Sequence, residues 1–395
     1  DYICFDDEFD DWIAQADEDY AWVEGDERDP CGLCYTSGTT GNPKGVLYEH
    51  RSTVLHSMSV IAPDALDLSA RSVILPVVPM FHANSWCIPY ASAIAGLKLV
   101  LCADNQPERL VGLFDSEQVT HSAGVPTVWL AMIEHIEQTG APLNSLDVVV
   151  IGGSAAPASV IGWFQERGIR VNHLWGMTEM SPVGTVGAPP AGWDEMSPDE
   201  QVAYLLRPGR SMFGVELRTV DDAGQVLPRD GVSAGLLQAR GAAVVKRYFR
   251  AEKDAVDADN WFDTGDIAVI HPDGSIALTD RSKDVIKSGG EWISSIELEN
   301  AAVGAEGILE AAAIGLPHPK WGERPLLLLV KTPDSQADEQ SVLDYLATRV
   351  SKWWLPDAML FVDELPHTAT GKLSKKDLRA RYTDFQHLPS CGPSP

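Results

Sequence analysis

The chain has 395 residues, 45% of them hydrophobic and 33 of them glycine, enough for one large core or two to three smaller ones, so it reads as a multidomain enzyme rather than a disordered segment. Its formal charge of −27, from 57 acids and 30 bases, argues against a nucleic-acid partner, because neutralising phosphates takes a basic face; any polyanionic substrate must be held locally. Scattered cysteines at 4, 31, 34, 87, 102 and 391, no apolar run long enough for a transmembrane segment and no leader-like start predict a soluble protein of a reducing, cytoplasmic compartment.

Residues 1–29 carry thirteen acids against the single base Arg28, with Phe5, Phe9, Trp12 and Ile13 spaced as the packed face of a short amphipathic helix. The first residue is Asp1 rather than Met, which marks the chain as a fragment, a processed product or an incomplete record. After Pro30 the pattern predicts a strand over 32–35, a loop over 36–45 and helical spacing from Val46; Cys31 and Cys34 read as strand packing rather than as a metal pair. Strands are predicted over 73–78, 97–102 and 146–151, and helices over 107–115 and 126–137, with Pro157 in the first turn of the next helix. Such alternation predicts an α/β fold, with ligands at strand ends.

From about residue 208 strands shorten and turns crowd together, at 221–224 and 272–274, which predicts a β-rich subdomain over about 208–282. Beyond Arg281 come a helix over 295–303, strands over 311–316 and 326–331, a long helix over 339–353 and a basic helix near 375–381. The expected architecture is a large N-terminal domain (1–282) of α/β subdomains plus the β-rich part, followed by a small mobile α+β C-terminal lid domain (283–395).

The segment Thr36-Ser37-Gly38-Thr39-Thr40-Gly41-Asn42-Pro43-Lys44-Gly45 packs four hydroxyls, backbone amides and one lysine into a tight loop, which suits a triphosphate. Gly45 follows Lys44 where a Walker loop has Ser or Thr, and Pro43 removes a backbone donor, so a P-loop kinase or GTPase is disfavoured. Glu179, in a Thr-Glu pair after the strand-like 171–174, is the best Mg²⁺ ligand candidate, against a plain surface acid. Lys372, on a loop before an amphipathic helix, can swing a point charge toward a phosphate; a solvated lysine is the competing reading.

Residues 35–46 resemble the signature loop of the acyl-adenylate-forming superfamily, which includes acyl-CoA synthetases, luciferases and peptide-synthetase adenylation domains. Trp175-Gly176-Met177-Thr178-Glu179, Trp261-Phe262-Asp263-Thr264-Gly265-Asp266, Asp280-Arg281-Ser282-Lys283-Asp284 and Thr370-Gly371-Lys372 resemble its further motifs, in the family's order. The wording at 79–84 and 288–294 is most similar to medium-chain fatty acyl-CoA ligases and methylmercaptopropionate-CoA ligases. Relative to the family the chain lacks a large N-terminal portion, and a homodimer stays open.

The resemblance implies an ATP-dependent acid-thiol ligase that adenylates a short- or medium-chain carboxylic acid and forms its coenzyme A thioester. Thr36, Ser37, Gly38, Thr39, Thr40 and Lys44 would hold the phosphates, Thr178 the α-phosphate and Glu179 the Mg²⁺. Trp175 would stack on adenine with Gly153, Ser154 and Ala155 along its other side, beside Gly176 and Met177; core packing of Trp175 competes. Asp266 would accept the ribose hydroxyls, with Arg281 adding a contact, unless it merely caps a turn. Lys283 would be the hinge, Lys372 the catalytic lysine, and Gly289, Gly290 and Trp292 part of the pantetheine tunnel. His82 matches an acyl-pocket position, which Trp86, Met177 and 124–127 could line; a core histidine is the alternative. A truncated nucleotide-binding homologue without turnover, and an adenylation domain loading a carrier protein, are the other readings.

Overall fold

A run of four β-branched residues, Val148-Val149-Val150-Ile151, buries every side chain, as expected of a strand covered on both faces. The computed structural model, which describes residues 8–17, 19, 21, 23–36, 43–333, 335–368, 373–383 and 385, places that run at the centre of the largest sheet. A hairpin precedes this sheet: β1 (Pro30–Thr36) and β2 (Lys44–Glu49) pair antiparallel, with Thr36 opposite Lys44. The sheet itself comprises β3 (Val73–Pro76), β4 (Lys98–Leu99), β5 (His121–Gly124), β6 (Val148–Ile151), β7 (Arg170–Gly176), β8 (Val183–Gly187) and β9 (Arg210–Ser211). Its order is β4-β3-β5-β6-β7-β8-β9, parallel through β7 and antiparallel beyond.

Alternate side chains feed two cores. Ile74, Val148 and Val150 meet Val60, Ile88 and Ala91 of helices His50–Val60 and Ile88–Ala95. Leu75, Val149 and Ile151 meet Phe114, Trp129, Met132 and Phe164 from helices Pro107–Glu117, Pro126–Thr139 and Ala158–Gln165. The result is a three-layer body with helices on both faces of a mostly parallel sheet. On the outer side of the first pair of helices Val54, Leu55, Met58, Tyr90 and Ile94 stay exposed.

Next come β10 (Val215–Val220), β11 (Gly235–Gly241), β12 (Phe262–Ile270) and β13 (Ile276–Arg281), an antiparallel sheet whose Val215, Leu217, Leu237 and Ala268 pack with Trp175 and Met180. The remaining strands are β14 (Ile286–Ser288), β15 (Glu291–Ile293), β16 (Ile308–His318), β17 (Gly322–Lys331) and β18 (Ala358–Phe361). They order as β15-β14-β17-β16, with β18 parallel to β17. Helices Ser295–Val303 and Glu339–Leu346 cover one face and Lys375–Arg381 the other.

Four expectations need correction. The phosphate loop is followed by a strand, not a helix: Val46 and Tyr48 point inward with a period of two, and the helix starts only at His50, behind a Glu49/Ser52 capping box. Helix Phe9–Ile13 forms, but none of its residues is buried and Trp12 is 53% exposed; Phe5 lies outside the described residues. Pro157 is extended and caps its helix from outside. The helix expected over 339–353 ends at Leu346, where poor helix formers such as Thr348, Val350 and Ser351 follow and Trp353 turns back edge-to-face on Trp321. By contrast, helices Ser295–Val303 and Lys375–Arg381 and the crowded turns near 221–224 and 272–274 are where the sequence reading puts them.

Candidate active site

The strand order reverses direction between β3 and β5: the chain leaves β3 for β4 on one side and later crosses to β5 on the other. Crossover loops therefore part to opposite faces there and open a crevice at the carboxyl ends, the usual ligand position in such sheets. His82 follows the end of β3, Gly124 ends β5, Gly153, Ser154 and Ala155 follow β6, and Trp175, Gly176, Met177, Thr178 and Glu179 end or follow β7. The sheet thus collects residues from four separate stretches along one edge.

Local packing explains several of them. A Cβ on Gly152 would lie 2.4 Å from Leu174, with Trp86 also close, and Gly153 takes φ +83°, so only glycines let the chain bend here. At Gly176 a Cβ would come within 2.0 Å of the Pro182 carbonyl oxygen. Thr178–Met180 then forms a one-turn 3₁₀ helix that buries Glu179 to 7% exposure. Tyr48 Oη donates to the Thr178 carbonyl at 2.8 Å, and the Val245 amide donates to the Glu179 carbonyl at 2.7 Å.

The Glu179 carboxylate accepts from Tyr248 Oη at 2.7 Å through Oε1, while Oε2 accepts from none of the described residues. Burial, reinforced by the Glu179 charge, pushes the Tyr248 hydroxyl well above the usual tyrosine range, so it stays a donor. Lys44 Nζ sits 4.8 Å from the centre of the Tyr248 ring. The hairpin, the Thr-Glu turn and the segment carrying Tyr248 therefore meet. Ser37, Gly38, Thr39 and Thr40 lie outside the described residues, as do Thr370, Gly371 and Lys372; Thr36 ends β1 opposite Lys44.

A second cluster lies where β7 faces the antiparallel sheet. The Trp175 indole Nε1 donates to Asp266 Oδ2 at 2.9 Å, and Arg281 Nε is 3.4 Å from Oδ1 of the same carboxylate. Trp175 is 7% exposed and packs among Met180, Val215 and Leu217. Lys283 lies within electrostatic reach of Asp284, Arg281 and Asp266, and burial lowers its pKa below that of an ordinary lysine.

Two further groups are built on positive-φ turns. His82 caps a turn in which Ala83, Asn84, Ser85, Trp86 and Cys87 all take positive φ, from 47° to 66°. A left-handed turn costs about 1–2 kcal/mol per residue and survives only where its surroundings over-determine it. Ser85 Oγ donates to the Val78 carbonyl at 2.8 Å, Cys34 Sγ bonds Asn84 Oδ1 at 3.3 Å and Trp86 is buried, which supplies that fixation. Gly289 and Gly290 form the positive-φ turn between β14 and β15 in the C-terminal unit, Gly289 beside Trp321 and Trp353, and Trp292 of β15 pairs with Lys287 of β14. Sequence reasoning missed Tyr48 and Tyr248, whose roles come from contacts distant in sequence.

Among the described residues no group of three or more His, Cys, Asp or Glu side chains could hold a metal. One carboxylate with an open oxygen nevertheless fits Mg²⁺, which takes one or two carboxylates and otherwise binds substrate phosphates and water.

The AMP-binding enzyme family matches residues 3–249, and the AMP-binding enzyme C-terminal domain matches residues 297–372. The chain is 50% identical over 379 residues to a medium-chain-fatty-acid–CoA ligase of Ectopseudomonas oleovorans, covering 95% of this chain and 69% of that one. It is 48% identical over 378 residues to a 3-methylmercaptopropionyl-CoA ligase of Ruegeria lacuscaerulensis, covering 95% and 70%. The crystal structure of ATP-bound MatB from Rhodopseudomonas palustris superposes with a TM-score of 0.84 at 26% identity, over 95% of this chain and 73% of that one. With the family's two parts matched in order on a shared fold, the chain belongs to the AMP-binding enzyme family.

Proposed function

We propose that the chain is an ATP-dependent acyl-CoA ligase acting on a short- or medium-chain carboxylic acid of the fatty-acid or 3-methylthiopropionate type. The observation that carries the reading is the gathering of Lys44, Glu179 and the Trp175–Asp266–Arg281 cluster around one sheet edge. The identity to a medium-chain ligase and to a 3-methylmercaptopropionyl-CoA ligase supports the substrate class.

In the first step the substrate carboxylate attacks the α-phosphate in line and pyrophosphate leaves, so negative charge gathers on both sides of the phosphorus. Lys44 and the hydroxyls of the loop at 36–40 hold the phosphates, Thr178 faces the α-phosphate, and Asp266 and Arg281 hold the ribose. Mg²⁺ bound at Glu179 would offset charge on the phosphate oxygens. Lys372 supplies a positive charge at the same point. In the second step the coenzyme A thiol attacks the acyl carbonyl and AMP leaves; a free thiol near pKa ~8.5 needs alignment and exclusion of water more than a strong base.

The reading takes 1–282 as the adenylating body and 283–395 as a lid that turns about Lys283, bringing Gly289, Gly290 and Trp292 to the pantetheine arm. His82, Trp86 and Met177 border the acyl group. It also carries a cytoplasmic setting; no helix among the described residues is long and apolar enough to cross a membrane.

The test is pyrophosphate release with ATP, Mg²⁺ and a panel of short-chain, medium-chain, thioether and aryl acids, with and without coenzyme A. Release that yields a thioester, strongest for medium-chain or thioether acids, is expected. Release without a thioester would move the acceptor elsewhere, a carrier protein included. No release from folded protein would leave a nucleotide-binding homologue without turnover.

A further inference from the structure

Glu179 reaches the site from a single helical turn, and a lone carboxylate on so short a support needs something to fix its orientation. The partner is Tyr248, whose Oη donates to Oε1 at 2.7 Å. The segment that carries Tyr248 is tied to both halves of the site: the Val245 amide donates to the Glu179 carbonyl at 2.7 Å and the Phe249 amide to the Gly45 carbonyl at 2.8 Å. Its ring also carries Lys44 Nζ, 4.8 Å from the centroid. A cation held over an aromatic face is attracted to the ring without being neutralised.

We propose that Tyr248 is a positioning residue for the divalent cation, its hydroxyl occupying one oxygen of Glu179 so that the other is left for the metal. This rests on the ligase reading. Mg²⁺ demands near-octahedral geometry at short distances, which a carboxylate meets through one oxygen. A hydrogen bond to Oε1 leaves Oε2 as that oxygen. Without the phenol the carboxylate can rotate or take the cation with both oxygens, and each outcome weakens the grip on the metal. Outer partners that orient metal ligands in this way commonly set metal affinity by tenfold or more.

Mn²⁺ is a suitable probe, read by electron paramagnetic resonance on the whole chain with ATP present. Tyr248→Phe removes only the hydroxyl, and it is expected to weaken Mn²⁺ binding roughly tenfold. Metal-free ATP binding, and thioester formation from supplied acyl adenylate and coenzyme A, should stay within about twofold, since neither uses the metal turn. A tyrosine with a purely structural role would move all three measurements or none, and either result overturns the proposal. Unchanged Mn²⁺ affinity in Tyr248→Phe beside a weakened Glu179→Gln would show that Glu179 orients itself. Unchanged affinity in Glu179→Gln would remove the metal turn and the proposal with it. Pyrophosphate release by the unaltered chain judges the ligase reading separately.

Discussion

Strand β6 of the body is held by apolar side chains on both faces, whereas the start of the C-terminal unit, the joint beside β13, is held by buried charges, with Asp280 reaching across it and the other pairs inside the unit. Asp280, at the end of β13, accepts from the Ser295 amide at 2.6 Å and from the Ser295 hydroxyl. Lys375 pairs with Glu299 at 2.8 Å and also bonds Ser295, and Arg379 pairs with Asp284 and the Lys283 carbonyl. Apolar packing is non-directional and dense, so it fixes the site's edge and tolerates no vacancy. A charge network is directional, and its strength depends on each member keeping its partner away from water. A body that must present four loops in register suits the first principle, and the moving lid proposed above would suit the second.

The body should be the easier to break outright. Phe164 is fully buried and meets the ring of Trp129 edge-to-face with centroids 5.5 Å apart. Phe164→Ala is expected to cost about 4 kcal/mol, read as a lower urea midpoint for the whole body. Next comes the joint. Lys375→Met leaves Glu299 buried without its cation, with an expected local cost of about 3 kcal/mol. Faster amide exchange in helices Ser295–Val303 and Lys375–Arg381, with protection in β5 to β7 unchanged, would bear that out. Equal loss in both regions would show that the two are one cooperative unit.

The same contrast decided what was legible beforehand. Strand β6 could be read because it is a continuous apolar run ending at a Gly-Gly turn, and helix Ser295–Val303 because its buried Ser295, Leu298 and Ala302 recur at helical spacing. Hairpin strand β2 was misread because six residues are too few to separate a period of two from a helical stripe. The left-handed turn at 83–87 had only Asn84 to signal it, since the contacts that force it come from Val78 and Cys34. Polar partners were the least visible. Trp175, Asp266, Arg281 and Glu179 stood out by resemblance, but Tyr248 lies 69 positions from Glu179 and Lys375 lies 80 from Ser295, and no local pattern records such pairs.

Acid should act on the two regions with opposite sign. His56 accepts the Val183 amide through Nε2 at 3.2 Å, His173 lies against the Leu205 carbonyl, and burial holds both near a pKa of about 4. Unfolded, each takes its proton near pH ~6.5, so between there and about 4 the unfolded chain binds more protons and stability falls as pH falls. From pH 7 to pH 5 the loss is about 2 kcal/mol per histidine. In the joint, burial raises the carboxyls of Asp280 and Glu297 above their ordinary range. There the native state binds more protons between the ordinary value and the raised one, so the joint strengthens as pH falls through that window. Urea midpoints for the body and amide exchange for helix Ser295–Val303, each followed from pH 7 down to the ordinary carboxyl range, should therefore move apart; a common direction would refute the assignment.

The smallest effect isolates burial from distance. Lys98 and Glu117 form an ion pair at 2.6 Å, shorter than the 2.8 Å of Lys375 and Glu299, but their side chains are 51% and 39% exposed against 11% and 14%. In water the Coulomb attraction is screened and the unpaired partner is resolvated, so an exposed pair contributes little. Inside the joint neither compensation is available. Glu117→Gln should therefore shift the urea midpoint by no more than about 0.5 kcal/mol, and less at high salt. A cost near that of Lys375→Met would mean that contact distance, not exclusion of water, sets the strength of the joint, and the contrast between an apolar strand core and a charged joint would lose its physical basis.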